Sequence, residues 1–266
     1  RAPDEFAHAK YSAMRERSVG LGVMGLHSYF QKKNIPFGSV MSKVWNKKVF
    51  KNIQEKVDAA SKSLAEERGA CPDAEEYGMK ERFSNKTAIA PTASISIICG
   101  GSSPGIEPIA ANSYTHKTLS GSFNVRNKYL KKILSKYKKD TDDVWSSITT
   151  NQGSVSHLDF LTAEEKDTFK TAFEIDQRWI VELGADRTPH ISQAQSINIF
   201  IPADIHKKDL HNLHFQAWKK GLKSLYYCRS KSIQRAENVN KGTSTDVTKN
   251  VYSQGQESNN ESNNYE

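Results

Sequence analysis

The segment Pro91-Thr-Ala-Ser-Ile-Ser96 has the residue types of an anion-binding turn. It follows a short apolar run, residues 87–90, and precedes a loop rich in Gly, Ser and Pro, residues 99–105. Small hydroxylated residues let backbone N–H groups approach an anion, and their hydroxyls add further donors. The same composition also suits an ordinary Ser/Thr turn without a ligand. Phosphate binding is therefore one of two readings of these residues.

A second candidate is the adjacent pair Tyr226-Tyr227, which precedes Cys228 in a predicted strand. Two aromatic residues at the start of a strand ordinarily pack in a core. An ideal strand would point these neighbours to opposite faces. Joint chemistry of the two rings therefore requires irregular backbone at this point.

The glycines of Gly20-Leu-Gly-Val-Met-Gly25 fit the pattern G-x-G-x-x-G. A dinucleotide-binding fold should offer an acidic residue about 20 positions further on. Residues 40–50 contain none. The glycines are instead predicted to allow close packing where a strand passes into a helix.

Cysteine and histidine residues give little sign of a metal or redox site. The three cysteines are odd in number and far apart, which argues against a disulfide framework and favours a reducing compartment: Cys71, Cys99 and Cys228. None has a partner at redox spacing. Three histidines lack a complete ligand set and are predicted to lie on the surface: His206, His211 and His214. No metal site is predicted.

Composition limits the classes of protein to which the chain can belong. The 266 residues can form one large core or two small ones, and 36% hydrophobic with 26% charged residues is typical of a soluble protein. No apolar run approaches the length of a membrane span, and the N-terminus lacks the apolar core of a signal peptide. The net charge of +8 comes largely from lysines in residues 128–139 and 207–220. These are predicted to be solvated helix faces, with a nucleic-acid surface as the alternative.

Strands and helices alternate along the chain. Helices are predicted over about residues 25–33, 42–68 and 204–220, with extended or hairpin structure at 113–126 and a basic helix ending near 139. The capping box Thr162-Ala-Glu-Glu165 is predicted to open one helix that continues to Gly184. Strands are predicted at residues 87–90, 196–201 and 223–228. The 204–220 helix is predicted to bury one stripe: Leu210, Leu213, Ala217 and Trp218. The alternation predicts an α/β fold with parallel pairing.

Several segments, taken in order, resemble the C-terminal half of the large (catalytic, alpha) subunit of class I ribonucleotide reductase. They are Asn85-Lys-Thr-Ala-Ile-Ala-Pro-Thr-Ala-Ser-Ile-Ser96, Pro104-Gly-Ile-Glu-Pro108, Phe173-Glu-Ile-Asp-Gln-Arg-Trp179, Ala185-Asp-Arg-Thr-Pro189, Gln193-Ala-Gln-Ser-Ile-Asn198 and the segment around Tyr226-Tyr227. The resemblance covers about residues 10–235. It implies the second half of a ten-stranded α/β barrel, completed by another chain.

The resemblance assigns roles to both candidates. The turn residues Thr92, Ala93, Ser94 and Ile95 match the family's substrate phosphate-binding turn, although Ala93 replaces a carboxylate found in some relatives. The tyrosines match a stacked pair that transfers a radical, with Tyr227 towards the small subunit and Tyr226 towards a cysteine that becomes a thiyl radical. A neutral phenol suits this role because it can move an electron and a proton together.

The resemblance also implies partners. The family's radical cysteine and effector site lie before this region, and its usual C-terminal cysteine pair has no match here. We therefore expect the C-terminal fragment of a split large subunit, inactive alone and cytoplasmic (in a host cell if viral), that reduces ribonucleotides for DNA replication. It would work with an N-terminal large-subunit fragment, a small subunit carrying a tyrosyl radical and di-metal centre, and a thioredoxin- or glutaredoxin-type reductant. The chain itself would bind no cofactor. The alternative is a basic module that binds nucleotides or nucleic acid without catalysis.

The last residues differ in composition from the rest. Residues 242–266 are rich in Ser, Thr, Asn, Gln and Glu, with few apolar groups to bury. Such a segment cannot offset the entropy lost on ordering. We therefore predict a barrel half over residues 1–235 and a flexible polar tail over residues 236–266.

Overall fold

The computed structural model describes residues 3–118 and 121–231. A compact unit of the chain ends at Ser230. The predicted domain boundary at residue 235 and the predicted tail at 236–266 lie outside the described residues. The ten α-helices among the described residues are α1 Ala7–Glu16, α2 Leu26–Lys32, α3 Val40–Arg68, α4 Pro72–Glu76, α5 Ala93–Ile98, α6 Lys128–Lys136, α7 Asp142–Thr150, α8 Ala163–Thr168, α9 Gln177–Arg187 and α10 Lys207–Lys219. The strands are β1 Ser113–Thr118, β2 Gly121–Arg126, β3 Ile199–Ile201 and β4 Cys228–Ser230.

Four chain segments lie side by side and run parallel. Leu21 pairs with Thr87, Ile89 pairs with Gln195, and β3 pairs with β4. The spatial order therefore follows the sequence, and helices connect the segments, as expected where parallel strands need crossover connections. The described residues form an open array rather than a closed sheet. The predicted α/β architecture with parallel pairing is confirmed to this extent.

The first two segments approach each other very closely. A Cβ atom added at Gly22 would lie 2.7 Å from the carbonyl oxygen of Ala88, which is too close for any side chain. The glycine pattern here thus serves packing between neighbouring segments, as predicted, before the chain enters α2.

Two large apolar clusters form the interior. One gathers α2, α3 and α9 around the parallel segments, and its fully buried members include Phe30, Phe50, Leu183 and Ile197. The other joins α6, α7 and α8 around Trp145, Leu130 and Leu134. A smaller cluster packs α10 against β3 through Leu213 and Ala217.

The capping box forms as predicted, but the helix that it opens is short. Glu165 N–H donates to Thr162 Oγ1 at 3.2 Å, and Thr162 N–H donates to Glu165 Oε2 at 3.0 Å. The prediction of one helix to Gly184 is wrong, because α8 ends at Thr168 and α9 starts at Gln177. A second cap sets the start of α9, where the Asp176 side chain accepts from Arg178 N–H at 3.0 Å.

Three further predictions need correction. Trp218 does not lie on the buried stripe of α10, since it is 71% exposed. The strands are shorter than predicted, and the last one begins only at Cys228. Helix α7 was not anticipated; its N-cap is Thr141, whose side chain accepts from Val144 N–H. The lysines of α6 and α10, in contrast, are exposed, as predicted for solvated faces.

Candidate active-site region

The predicted anion turn is held in an uncommon backbone conformation. Thr92 has φ of 52°, in the left-handed region, and its Oγ1 accepts from Gly105 N–H at 2.8 Å. This bond ties the turn to the Gly/Ser/Pro-rich loop. The next residues, Ala93, Ser94 and Ile95, form the exposed first turn of α5. Backbone N–H groups in a first helical turn have no partner within the helix, so they can serve an anion.

A cavity of about 340 Å³ lies beside this turn. Pro91, Ala93 and Ser96 line one part of it, and Glu107 and Arg229 line another. The cavity therefore joins the end of the second parallel segment to β4. Ligands of parallel α/β sheets commonly bind where strands end and helices begin.

Glu107 is a buried carboxyl group in the cavity wall, only 6% exposed. Burial raises its pKa to about 7, against the opposing effects of the Arg229 charge and a hydrogen bond from Asn198. Asn198 Nδ2 donates to Glu107 Oε1 at 2.5 Å. A proton can therefore enter or leave Glu107 near neutral pH.

The His27 side chain is bound to a residue of the cavity wall, Ile109. Its ring is fully buried, and its Nδ1 accepts from Ile109 N–H at 3.0 Å. Burial lowers the pKa of His27 to about 3, although a hydrogen bond with the backbone of Thr168 opposes this. His27 is therefore neutral at physiological pH and fixes the segment that follows Glu107.

The two rings of the tyrosine pair contact each other in a tilted arrangement just before β4. The ring centroids of Tyr226 and Tyr227 are 4.2 Å apart, with 51° between the ring planes. The rings are 49% and 57% exposed, so they are not core residues. A hydrogen bond between the two phenol groups raises the pKa of Tyr226. The two residues precede the regular strand, and this irregular backbone is what allows adjacent side chains to meet.

The backbone of the pair is held by the third parallel segment. Tyr226 N–H donates to the carbonyl of Ile197 at 2.8 Å, and the carbonyl of Tyr227 accepts from Ile199 N–H at 2.9 Å. Tyr227 N–H donates instead to the side chain of Asn198, at 2.9 Å. The sequence alone assigned no role to Glu107 or Asn198; a signal for Glu107 was a carboxylate within the otherwise apolar segment 104–108.

The remaining candidates do not join this region as a metal or redox centre. Among residues 3–118 and 121–231, no group of three or more His, Cys, Asp or Glu residues could hold a metal ion. His206 caps α10, where its Nδ1 accepts from Lys208 N–H. The cysteines are free: Cys71 is buried, and Cys99 and Cys228 are exposed. In the same part of the chain, no helix combines the length and apolar character needed to cross a bilayer.

Comparison with known families defines the class of protein. The model of the ribonucleotide reductase barrel domain matches residues 3–81 and 73–228. The chain belongs to this family, and the resemblance found in the motifs is confirmed.

Individual relatives are ribonucleotide reductase subunits, and this chain matches only a part of each. It is 47% identical over 243 residues to the ribonucleoside-diphosphate reductase large subunit of Invertebrate iridescent virus 6, covering 90% of this chain and 25% of that protein. It is 32% identical to the large subunit of Caenorhabditis elegans, covering 86% and 33%. The solved alpha subunit of the Actinobacillus ureae class Id ribonucleotide reductase superposes with a TM-score of 0.81 at 39% identity, covering 89% of this chain and 43% of that one. The chain thus spans less than half the length of each of these relatives.

Proposed function

We propose that this chain is a C-terminal part of a ribonucleoside-diphosphate reductase large subunit and contributes to the reduction of ribonucleotides to deoxyribonucleotides. One observation carries the proposal. A single cavity is lined on one side by the turn at Ala93 and on the other by Arg229, two residues after Tyr227. The cavity thus lies between a place for an anionic substrate and the segment that carries the tyrosine pair.

In this proposal the turn binds the substrate phosphates. Thr92, Ala93, Ser94 and Ile95 would supply backbone N–H groups and hydroxyls at the positive end of α5. Ala93 fits this role because a backbone N–H does not depend on its side chain. The apolar and amide residues elsewhere in the cavity would face the nucleoside, which carries fewer charges than the phosphates.

Tyr226 and Tyr227 would pass a radical between the small subunit and the active-site cysteine. Each step moves one electron and one proton, so the phenol must be neutral and must touch its partner. The ring centroids lie 4.2 Å apart, and the raised pKa of Tyr226 keeps its phenol neutral, which supports this role. The tyrosyl radical and its di-metal centre would belong to the small subunit, and a thioredoxin- or glutaredoxin-type protein would supply reducing electrons.

The rest of a large subunit would complete the barrel. The first parallel segment is an edge of the array, and its side chains Val19 and Leu21 are 43% and 53% exposed. An exposed apolar edge strand ordinarily pairs with further structure. The missing segments, including the reactive cysteine, would come from the remainder of the subunit, whether in the same polypeptide or in another chain such as an N-terminal fragment. A cytoplasmic location would follow from such an assembly.

Reconstitution tests this function. The chain, the remainder of the large subunit, the small subunit and a reductant are combined, and deoxyribonucleotide formation from each ribonucleoside diphosphate is measured. We expect turnover only in the complete mixture, and none from this chain with the small subunit alone. Full turnover without this chain would refute the proposal. Strong salt-dependent binding of the chain to DNA, without turnover in the mixture, would favour a nucleic-acid module instead.

A further inference from the structure

Asn198 makes two hydrogen bonds that join the cavity wall to the tyrosine pair. Its Nδ2 donates to Glu107 Oε1 at 2.5 Å, and its Oδ1 accepts from Tyr227 N–H at 2.9 Å. The side chain is fully buried, and Glu107 is nearly so. A buried polar link of this kind is costly unless every group is satisfied, so it specifies one arrangement.

The two bonds fix the direction of the Asn198 amide. A backbone N–H can only donate, so the amide must turn its oxygen towards Tyr227. Its NH₂ group then faces Glu107, which must offer an oxygen acceptor. An apolar residue at position 107 would leave that NH₂ unpaired and would let the amide rotate away from Tyr227.

Tyr227 needs such a support because its backbone is irregular. The neighbouring ladder bonds use Tyr226 N–H and the carbonyl of Tyr227, whereas Tyr227 N–H is bound by a side chain. The ring stack depends on the backbone angles at this residue, since regular strand geometry would separate the two rings.

We propose that Glu107 is a positioning residue that acts through Asn198 to hold the backbone of Tyr227, and thereby the contact between the two tyrosine rings, in the geometry for radical transfer. The inference rests on the function proposed above. It gives Glu107 a different role from that of the phosphate-binding turn, although both line the cavity. Glu107 contributes an acceptor to the protein, and substrate affinity does not depend on it.

An exchange of acid and amide tests the proposal in the reconstituted enzyme. Asn198→Asp alone places two carboxyl groups against each other, and kcat should fall about ten- to a hundredfold at a pH high enough that no shared proton bridges them. The double variant Glu107→Gln with Asn198→Asp restores both bonds in the reverse sense. The amide introduced at position 107 donates to the carboxylate introduced at position 198, and that carboxylate still accepts from Tyr227 N–H. We expect the double variant to recover most of the lost kcat. The KM for substrate should change by less than about twofold in all variants, since ground-state binding is untouched.

Matched controls place the same chemical changes elsewhere. Glu66→Gln on α3 and Asn151→Asp after α7 alter exposed residues and should leave kcat unchanged. If Asn198→Asp fails to assemble, Glu107→Gln is compared with Glu107→Leu. The Gln variant keeps an acceptor and should retain far more kcat than the Leu variant.

Two results would overturn the proposal. A rise in KM with unchanged kcat in Glu107→Gln would show that the carboxylate binds substrate. A double variant as impaired as Asn198→Asp, or equal losses in Glu107→Gln and Glu107→Leu where Asn198→Asp does not assemble, would show that the acceptor link has no such role. Failure of the underlying function is distinguishable, because Tyr227→Phe would then keep full turnover.

Discussion

The four parallel segments form one region of the molecule together with α2, α3 and α9, called here the barrel region. Helices α6, α7 and α8 form a second region, the helical cluster, and the two are held together in different ways. The barrel region is assembled by contacts between distant residues, such as Leu21 with Thr87 and Asn198 with Glu107. The helical cluster is assembled by local signals, with Asn127, Thr141 and Thr162 each capping the helix that follows. Every candidate site residue lies in the barrel region or on the loops at its segment ends.

This contrast predicts where a substitution can alter function without unfolding the chain. In the barrel region a side chain at the cavity contacts two or three segments at once, so a small change moves several functional groups. In the helical cluster a cap stabilises only its own helix. The two regions meet at His27, which bonds to Ile109 at the cavity wall and to Thr168 at the end of α8.

The largest expected effect belongs to the tyrosine pair. Tyr226→Phe and Tyr227→Phe each remove one hydroxyl and keep the ring, so folding and subunit association should survive. Turnover should fall to the background of the assay, because phenylalanine cannot exchange a proton with an electron. The double variant should be no worse than either single one, since either change interrupts the same series of transfers.

The measurement is deoxyribonucleotide formation in the reconstituted enzyme, with association checked on the same samples. Tyr137→Phe is a matched control, because its hydroxyl bonds to Glu165 in the helical cluster. It should keep normal turnover. An assembled Tyr226→Phe or Tyr227→Phe enzyme with near-normal turnover would mean that the pair serves packing alone.

The next effect concerns the anion turn. Ser94→Glu places a negative charge beside the proposed phosphate site and removes a hydroxyl donor. Substrate affinity should weaken by about 2–3 kcal/mol through repulsion and the lost donor. Association with the small subunit should not change. Substrate affinity is measured in the reconstituted enzyme, with Ser146→Glu at an exposed position of α7 as the control; equal affinity in Ser94→Glu and the unaltered enzyme would place the phosphate elsewhere.

His27 lies between the two regions, and its protonation should make the free energy of unfolding depend on pH. Its pKa is about 3 in the folded chain and near 6.5 when unfolded, so the unfolded state binds more protons between these values. Stability is therefore retained above pH 6.5 and lost as the pH falls towards 3. The free energy of unfolding should drop by about 2 kcal/mol from neutral pH to pH 5 on account of this residue alone.

Urea unfolding at several pH values checks the role of His27. His27→Gln should lose this part of the pH dependence, whatever its effect on stability at neutral pH. His211→Gln, on the exposed face of α10, should keep it. Identical pH slopes for the His27 variant and the unaltered chain would show that this ring is not buried as a neutral acceptor.

Sequence reasoning succeeded where the determining residues are neighbours. The capping box at Thr162, the end of α3 at Gly69 and the hairpin of β1 and β2 follow from local chemistry. It failed where a second local cap was overlooked and where tertiary packing decided the outcome. The helix opened at Thr162 ends at Thr168, and Asp176 caps a separate helix, α9. Trp218 was assigned to the core, although α10 packs against β3 through Leu213 and Ala217.

The candidate site also contains some features that follow from neighbouring residues and others that depend on long-range contacts. The turn and the tyrosines could be selected because each is a contiguous motif, and their roles came from family resemblance. The link from Glu107 through Asn198 joins residues 91 positions apart in the sequence. No periodicity or spacing connects two such residues, so their contact required the structure. Their roles, and those of the turn and the tyrosines, stay predictions for the experiments above.

The smallest expected effect comes from a helix cap, and it tests whether the two regions act independently. Thr162→Ala removes the hydroxyl that accepts from Glu165 N–H, so the chain should lose about 1 kcal/mol of unfolding free energy. Thr141→Ala is the matched control at the α7 cap; its bond to Val144 N–H is longer, at 3.5 Å, and the expected loss is smaller. Urea unfolding gives both values. Nucleotide reduction by the assembled enzyme should be unchanged in either variant, because neither threonine lines the cavity. A loss of turnover in assembled Thr162→Ala enzyme would show that α8 and the cavity wall act as one unit, and the division between the two regions would then be wrong.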